Sequence, residues 1–185
     1  MNLSNFYDLS YSDLSDFISS NFSLEKKKTS MRTNQIWKFV YKKGLKETSK
    51  FSNISSELKD NMEKSFNFNR TNIAEKKISK DGTIKWLLKL SDNNLVETVF
   101  IPSGKRGTLC VSSQVGCTLN CKFCHTGTQL MVKNLTTHEI INQILVAKDE
   151  LNDWGSQKKI TNIVYMGMGE PFYNYDNVKK SISIL

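Results

Sequence analysis

A chain of 185 residues and 21.2 kDa has room for one ordinary domain, or for a small domain joined to part of a larger one, which excludes a peptide hormone or a short disulfide scaffold. With 24% charged and 38% hydrophobic residues it has the composition of a folded globular protein rather than a disordered one. The net charge of +8 is uneven: residues 1–90 hold 17 basic against 10 acidic residues, and the remainder nine against eight.

No apolar run approaches the roughly 18 residues that cross a bilayer. The first 16 residues carry Asp8, Asp13 and Asp16 instead of a basic start and an apolar core, so the expected location is cytoplasmic. The basic excess is densest between Glu25 and Lys50, where nine Lys and Arg face only Glu25 and Glu47. A polyanion such as nucleic acid is the expected partner, and a lysine-rich face that merely keeps the chain soluble is the competing reading.

In chain order, residues 1–70 read as a small basic helical domain. Arg32 to Tyr41 places Ile36, Phe39 and Val40 on one face and stops at Gly44, and Leu58, Met62 and Phe66 after Ser55 form a second apolar stripe. Lys38, Lys42 and Lys46 recur every four residues, which predicts one outward face able to meet phosphates. Residues 71–104 read as a β-meander, with Asp81-Gly82 turning Ile73–Lys80 into Thr83–Leu90, and Asp92-Asn93-Asn94 leading into Leu95–Ile101. Pro102-Ser103-Gly104 breaks the strand pattern and marks the expected boundary with residues 105–185.

Beyond it the reading is strand, loop, helix, strand, loop, helix. Thr108–Ser113 is a short strand, Thr136-Thr137-His138-Glu139 is a capping box opening a helix to about Leu151, and Ile160–Met166 is a nearly apolar strand of the kind buried on both faces. A last helix begins near Asp176. Both informative loops follow carboxyl ends of strands, where α/β folds place their sites. The stretch from Thr108 onward accommodates only about two βαβ units at roughly 30 residues each. The expectation is therefore a piece of a longer protein, or one half of a split one.

The four cysteines, Cys110, Cys117, Cys121 and Cys124, crowd into one short stretch, which in a reducing compartment points to a metal or to catalysis. Cys117, Cys121 and Cys124 have the spacing Cys-x3-Cys-x2-Cys. Three such thiolates hold three irons of a four-iron cluster and leave the fourth open to an outside ligand. The competing reading is zinc, with Cys110 or His125 completing a tetrahedral set in a non-catalytic, basic RNA-binding module. His125 and His138 otherwise read as ordinary loop and helix-start side chains, and Trp37, Trp86 and Trp154 as core or rim aromatics.

The cysteine spacing, with Phe123 before the last thiol, resembles the signature of radical S-adenosylmethionine enzymes, and Gly167-Met168-Gly169-Glu170-Pro171 resembles the segment with which they receive the methionyl amino group. More specifically, Cys110-Val111-Ser112-Ser113-Gln114-Val115-Gly116-Cys117, Asn134-Leu135-Thr136, Ile160-Thr161-Asn162-Ile163-Val164 and Met166 to Pro171 resemble the dual-specificity adenine methyltransferases of 23S ribosomal RNA and transfer RNA. Asp81 to Trp86 and Val96 to Pro102 fit the same family. The resemblance implies an α/β fold: a basic helical domain and a meander leading into the first two βα units of a radical SAM barrel, about the amino-terminal half of a full member.

It also implies an enzyme that methylates carbon 2 of adenine, a 4Fe-4S cluster and S-adenosylmethionine as cofactors, 23S rRNA and tRNA as substrates, and an electron donor such as flavodoxin. By the same resemblance Gly169 and Glu170 would bind the cofactor, Glu97 would be the proton acceptor, and Cys110 would resolve the covalent adduct by forming a disulfide. Glu97 shares a strand face with Leu95, Val99 and Ile101, an apolar setting suited to a base, although a carboxylate simply pointing to water fits the same alternation. The family's methyl-carrying cysteine has no counterpart among these residues, so the expectation is that the chain does not methylate RNA alone and needs a carboxyl-terminal half. A relative that methylates carbon 8 of adenine fits the same motifs.

Overall fold

The computed structural model describes residues 3–22, 25–119 and 121–185. It divides into two compact units, Met1–Asn69 with Ser183–Leu185, and Arg70–Ile182.

The first unit consists of β1 (Ser4–Asn5), α1 (Tyr11–Phe22), α2 (Lys26–Tyr41), α3 (Ser56–Ser65) and β2 (Phe66–Asn67). Leu14 and Ile18 of α1, Ile36 and Val40 of α2, and Leu58 and Met62 of α3 each stand four apart, so one side of every helix is apolar and buried. Ser55 caps α3 by accepting the Leu58 N–H. The start and end of the unit are tied by parallel pairing of β1 with β2, by Phe6 stacked on Phe68 at 4.6 Å between centroids, and by the Tyr7 hydroxyl donating to the Phe68 carbonyl at 2.7 Å. The lysine row is shorter than expected. α2 ends at Tyr41 with both Lys42 and Lys43 N–H on the Lys38 carbonyl, so Lys38 and Lys42 share a face while Lys46 lies past Gly44, outside the helix.

The second unit is built on one five-stranded sheet of order β3 (Asn72–Ile78), β4 (Ile84–Lys89), β5 (Leu95–Ser103), β6 (Arg106–Cys110) and β9 (Asn162–Val164), antiparallel except for the parallel β6–β9 pair. At the first turn the Asp81 carboxylate takes the Thr83 N–H and hydroxyl at 3.0 and 2.9 Å, the local bonding that makes Asp-Gly a hairpin turn. The break expected at Pro102–Gly104 is instead a hairpin. β5 runs on through Pro102, whose partner is Gly107, and the turn returns the chain into β6, so the meander and the first parallel strand are one sheet. Proline is accommodated near the strand's end, where it forfeits little of the ladder.

Between β6 and β9 lie β7 (Gln114–Val115), its antiparallel partner β8 (Lys133–Asn134) and α4 (Thr137–Leu151); α5 (Tyr175–Ile184) follows β9. The expected capping box is present: the Thr136 side chain accepts the Glu139 N–H, and Glu139 accepts the Thr136 N–H at 2.9 Å. α4 is buried along most of its length and packs Ile140, Ile144 and Ala147 with Trp86, Leu88, Val96, Phe100 and Leu109 from the sheet. Each such side chain removed from water contributes about 1.5–3 kcal/mol. The second parallel strand is shorter than the apolar run Ile160–Met166 and lies at the sheet's edge. Its residues are exposed or half-buried, so its apolar character does not reflect burial on two faces. Among the described residues no helix is long and apolar enough to cross a membrane.

Candidate active site

Past β6 the chain continues through Val111–Gly116, six consecutive buried residues, and the loop after β9 is bonded to it rung by rung. The Val111 N–H donates to the Val164 carbonyl at 2.9 Å and the Gly167 N–H to the Val111 carbonyl at 3.0 Å, while Ser113 and Gln114 both donate to the Met168 carbonyl, at 2.8 and 3.2 Å. Gly169 has φ +92°, and a Cβ there would stand 2.4 Å from the Gln114 Cβ, so only glycine lets the backbone cross at this point. Side chains complete the lock. The Ser112 hydroxyl donates to the Glu97 carbonyl at 2.6 Å and accepts the Met168 N–H at 3.0 Å, and buried Asn174 donates to the Ser113 and Leu135 carbonyls at 2.8 and 2.7 Å. Gln143 of α4 accepts from Ser112 N–H and the Thr98 hydroxyl and donates to the Ser112 carbonyl. Sequence reasoning assigned none of these polar residues a role. The available signal was the run Ser112-Ser113-Gln114 where an apolar strand should continue.

The cysteine loop leaves this frame at Gly116, whose φ is +75° and whose missing Cβ would lie 2.1 Å from the Leu130 carbonyl oxygen. The β7–β8 pair and the Val132 N–H to Val115 carbonyl bond, 2.9 Å, close the loop's base. Cys117, Cys121 and Cys124 are free, half-buried thiols. Tight turns carry them: Cys124 N–H donates to the Cys121 carbonyl at 3.0 Å and Gly127 N–H to the Cys124 carbonyl at 3.1 Å, while the Leu119 N–H points at the Cys117 sulfur at 3.4 Å. Asn120, within the Cys-x3-Cys spacing, lies outside the described residues. Among the described residues no three His, Cys, Asp or Glu side chains converge as ligands of a single metal ion. A four-iron cluster asks for something different, with each thiolate on its own iron and backbone N–H groups donating to the sulfurs, and this donor set of three soft thiolates on an N–H-bearing loop fits that demand. His125 and Phe123 are exposed, Phe123 at 94%.

Glu170 begins the 3-10 turn Pro171–Asn174. Its N–H donates to the Gln114 side-chain oxygen at 3.0 Å and its carboxylate accepts the Phe172 N–H at 3.1 Å. Glu97 and Cys110 share the sheet face opposite α4: Cys110 pairs with Val99 across β5, and Glu97 lies two residues before Val99 on the same side. That face is not the apolar setting expected for Glu97. The buried side of β5 is Val96, Thr98 and Phe100, whereas Glu97 is half-buried among exposed Leu95 and Ile101, with Lys85 Nζ on its carboxylate at 2.7 Å. Burial pushes the Cys110 thiol above its ordinary range, against a smaller opposing effect of the Met166 N–H, so it is a protonated thiol at neutral pH, and all four cysteines are unpaired.

Residues 111–185 match the family model of the radical SAM superfamily. Among curated proteins the chain is similar to dual-specificity RNA methyltransferase RlmN of Rhizorhabdus wittichii, 46% identical over 165 residues that cover 88% of this chain and 41% of that protein. The same-named protein of Chelativorans is 45% identical over 182 residues, covering 89% and 45%. Among solved structures it matches a radical SAM methyltransferase from Sphaerobacter thermophilus with a TM-score of 0.83 and 30% identity, over 98% of this chain and 52% of that one. The chain thus spans a little under half the length of the curated relatives it matches.

Proposed function

We propose that this chain belongs to the dual-specificity RNA methyltransferases of the radical SAM superfamily, to which its matches point, and that it supplies the cofactor-binding start of an enzyme methylating carbon 2 of adenine in 23S rRNA and tRNA. The observation that carries this is the fusion of two loops on one frame: the Gly169-Glu170 loop is hydrogen-bonded directly to the strand from which the Cys117–Cys124 loop springs. Cys117, Cys121 and Cys124 would hold a 4Fe-4S cluster, and Gly169 and Glu170 the methionyl amine of S-adenosylmethionine. When bound, that pair supplies one-electron cleavage of the sulfonium to a carbon radical, with the electron coming from a donor such as flavodoxin.

The remaining assignments follow the same reading. β6, α4, β9 and α5 form the first two βα units of the barrel, with Glu97 and Cys110 on its inner face. In this reading Glu97 accepts the proton leaving the adenine carbon, and Lys85 orients its carboxylate. The basic helical unit binds RNA phosphates. Changing Lys38 and Lys42 to Gln should lower the salt-dependence slope of RNA binding by about two, and an unchanged slope would show a merely solvated face.

The activity test is product analysis. The reconstituted chain with S-adenosylmethionine and dithionite should release 5′-deoxyadenosine, and together with the remainder of a family member's chain it should leave 2-methyladenosine in the RNA. 8-Methyladenosine would assign it to the carbon-8 enzymes, and 2-methyladenosine made by these 185 residues alone would refute the need for a further cysteine.

A further inference from the structure

Gln114 has no role in the scheme so far, yet its side chain touches both cofactor loops. It is fully buried. Its Oε1 accepts the Glu170 N–H at 3.0 Å and, more loosely, the Thr118 N–H at 3.4 Å, and its Nε2 donates to the Thr118 hydroxyl at 3.0 Å and to the Asn134 side-chain oxygen at 2.8 Å. Thr118 immediately follows the first thiol of the cysteine loop, Glu170 is the candidate receiver of the methionyl amine, and Asn134 is in the strand that closes the loop's base. The stem of Gln114 is also the surface on which Gly169 rests, with the space for a Cβ filled by the Gln114 Cβ and Cγ.

We infer that Gln114 is a positioning residue that joins the cysteine loop to the glutamate loop, so that the cluster and S-adenosylmethionine are held in one fixed relation. The inference rests on the proposed function, because it gives the two loops their ligands. An amide suits this place and a hydrocarbon or a charge does not. One end must accept a backbone N–H while the other donates to two oxygens, and the site is buried, where each unmet polar group is costly. An apolar residue of equal volume would keep the packing and cut the link between the loops. A glutamate would keep the acceptor end toward Glu170 and could still take the Thr118 hydroxyl's proton in a hydrogen bond, while losing the donation to Asn134.

The test measures iron content and anaerobic S-adenosylmethionine affinity on the reconstituted 185-residue chain and its variants. Gln114→Met should load as much iron as wild type, because all three thiolates remain, but bind S-adenosylmethionine about 10- to 100-fold more weakly, the loss typical when an outer residue that orients ligands is removed. Gln114→Glu should recover part of that loss. Thr118→Val, a change at an exposed position with little bearing on folding, should weaken binding less, and should add nothing in the Gln114→Met background because the link is already cut. Should Gln114→Met fail to fold, Gln114→Glu and Thr118→Val decide the matter: affinities equal to wild type in both overturn the inference. Additive effects of Gln114→Met and Thr118→Val, or full affinity in Gln114→Met, overturn it as well. A wild-type chain that takes up no iron overturns the proposed function and this inference with it; iron uptake with an indifferent Gln114 overturns the inference alone.

Discussion

The two loops that would hold the cofactors are built in opposite ways. The glycine–glutamate loop is clamped at nearly every residue: Gly167, Met168 and Glu170 each donate a backbone N–H into the Val111–Gln114 segment, and the Met168 carbonyl receives two more. The cysteine loop is anchored at its base, by β7–β8, Gly116 and the Gln114–Thr118 bond, and presents Phe123 and Leu130 to solvent at 94% and 90% exposure. The difference is one of preorganisation. The loop that would meet a small, neutral-to-charged ligand is shaped by protein hydrogen bonds before the ligand arrives, whereas three thiolates held close by protein alone would repel one another, so their final geometry is left to the cluster.

Removing a cysteine tests that contrast most severely. Cys117→Ala, Cys121→Ala or Cys124→Ala should each abolish cluster uptake, because each would leave an iron without its thiolate, while Cys110→Ala should load iron normally, which iron and sulfide analysis after reconstitution reads directly. Equal loss in the Cys110 variant would replace the contrast with a four-cysteine site. On the clamped side, Gly169→Ala must place a Cβ against Gln114 at positive φ, and should cost about 2–4 kcal/mol in urea unfolding. Gly155→Ala, with nothing within 4 Å, is the control and should be near neutral. Asn174→Ala removes two donations to buried carbonyls at the junction of the loops, at about 1–3 kcal/mol by the same measurement.

The smallest effect concerns the base of the cysteine loop. Lys133 of β8 is paired with Asp92 and, at 2.7 Å, with Glu139. The Lys133 ammonium holds the Asp92 carboxyl down to about 2 from 3.8, so the pair's contribution is full above about pH 4 and is lost as the pH falls toward 2. Asp92 lies on an exposed turn, where solvent screening keeps this under ~1 kcal/mol. An acid titration of stability should therefore show Asp92→Asn and wild type converging below pH 2 and separating slightly above pH 4.

Much of this was legible in the residues, and what was not has identifiable causes. The cysteine spacing, the Asp81-Gly82 hairpin and the Thr136–Glu139 capping box are local chemistry, readable because partner and position are a few residues apart. Strand alternation placed Glu97 with Leu95, Val99 and Ile101 correctly, but alternation cannot say which face is covered, and α4 covers the other one. Pro102 read as a break because a proline forfeits one donor, although an end position in β5 tolerates it. The lysine row overran its helix because a four-residue period continues past a helix end that backbone bonding to Lys38 determines. Gln114, Gln143 and Asn174 were invisible as a group, since most of their partners lie 20 to 61 positions away and no short-range pattern announces them.

The measurement that bears most directly on the central claim is electron paramagnetic resonance of the anaerobically reconstituted and reduced chain, recorded with and without S-adenosylmethionine and paired with iron analysis. The account predicts about four irons per chain, absorbance near 400 nm, and a reduced-cluster spectrum that shifts when S-adenosylmethionine is added, with the shift weakened in Glu170→Ala. A chain that binds one zinc and no iron, or a cluster whose spectrum is unchanged by S-adenosylmethionine, would contradict it.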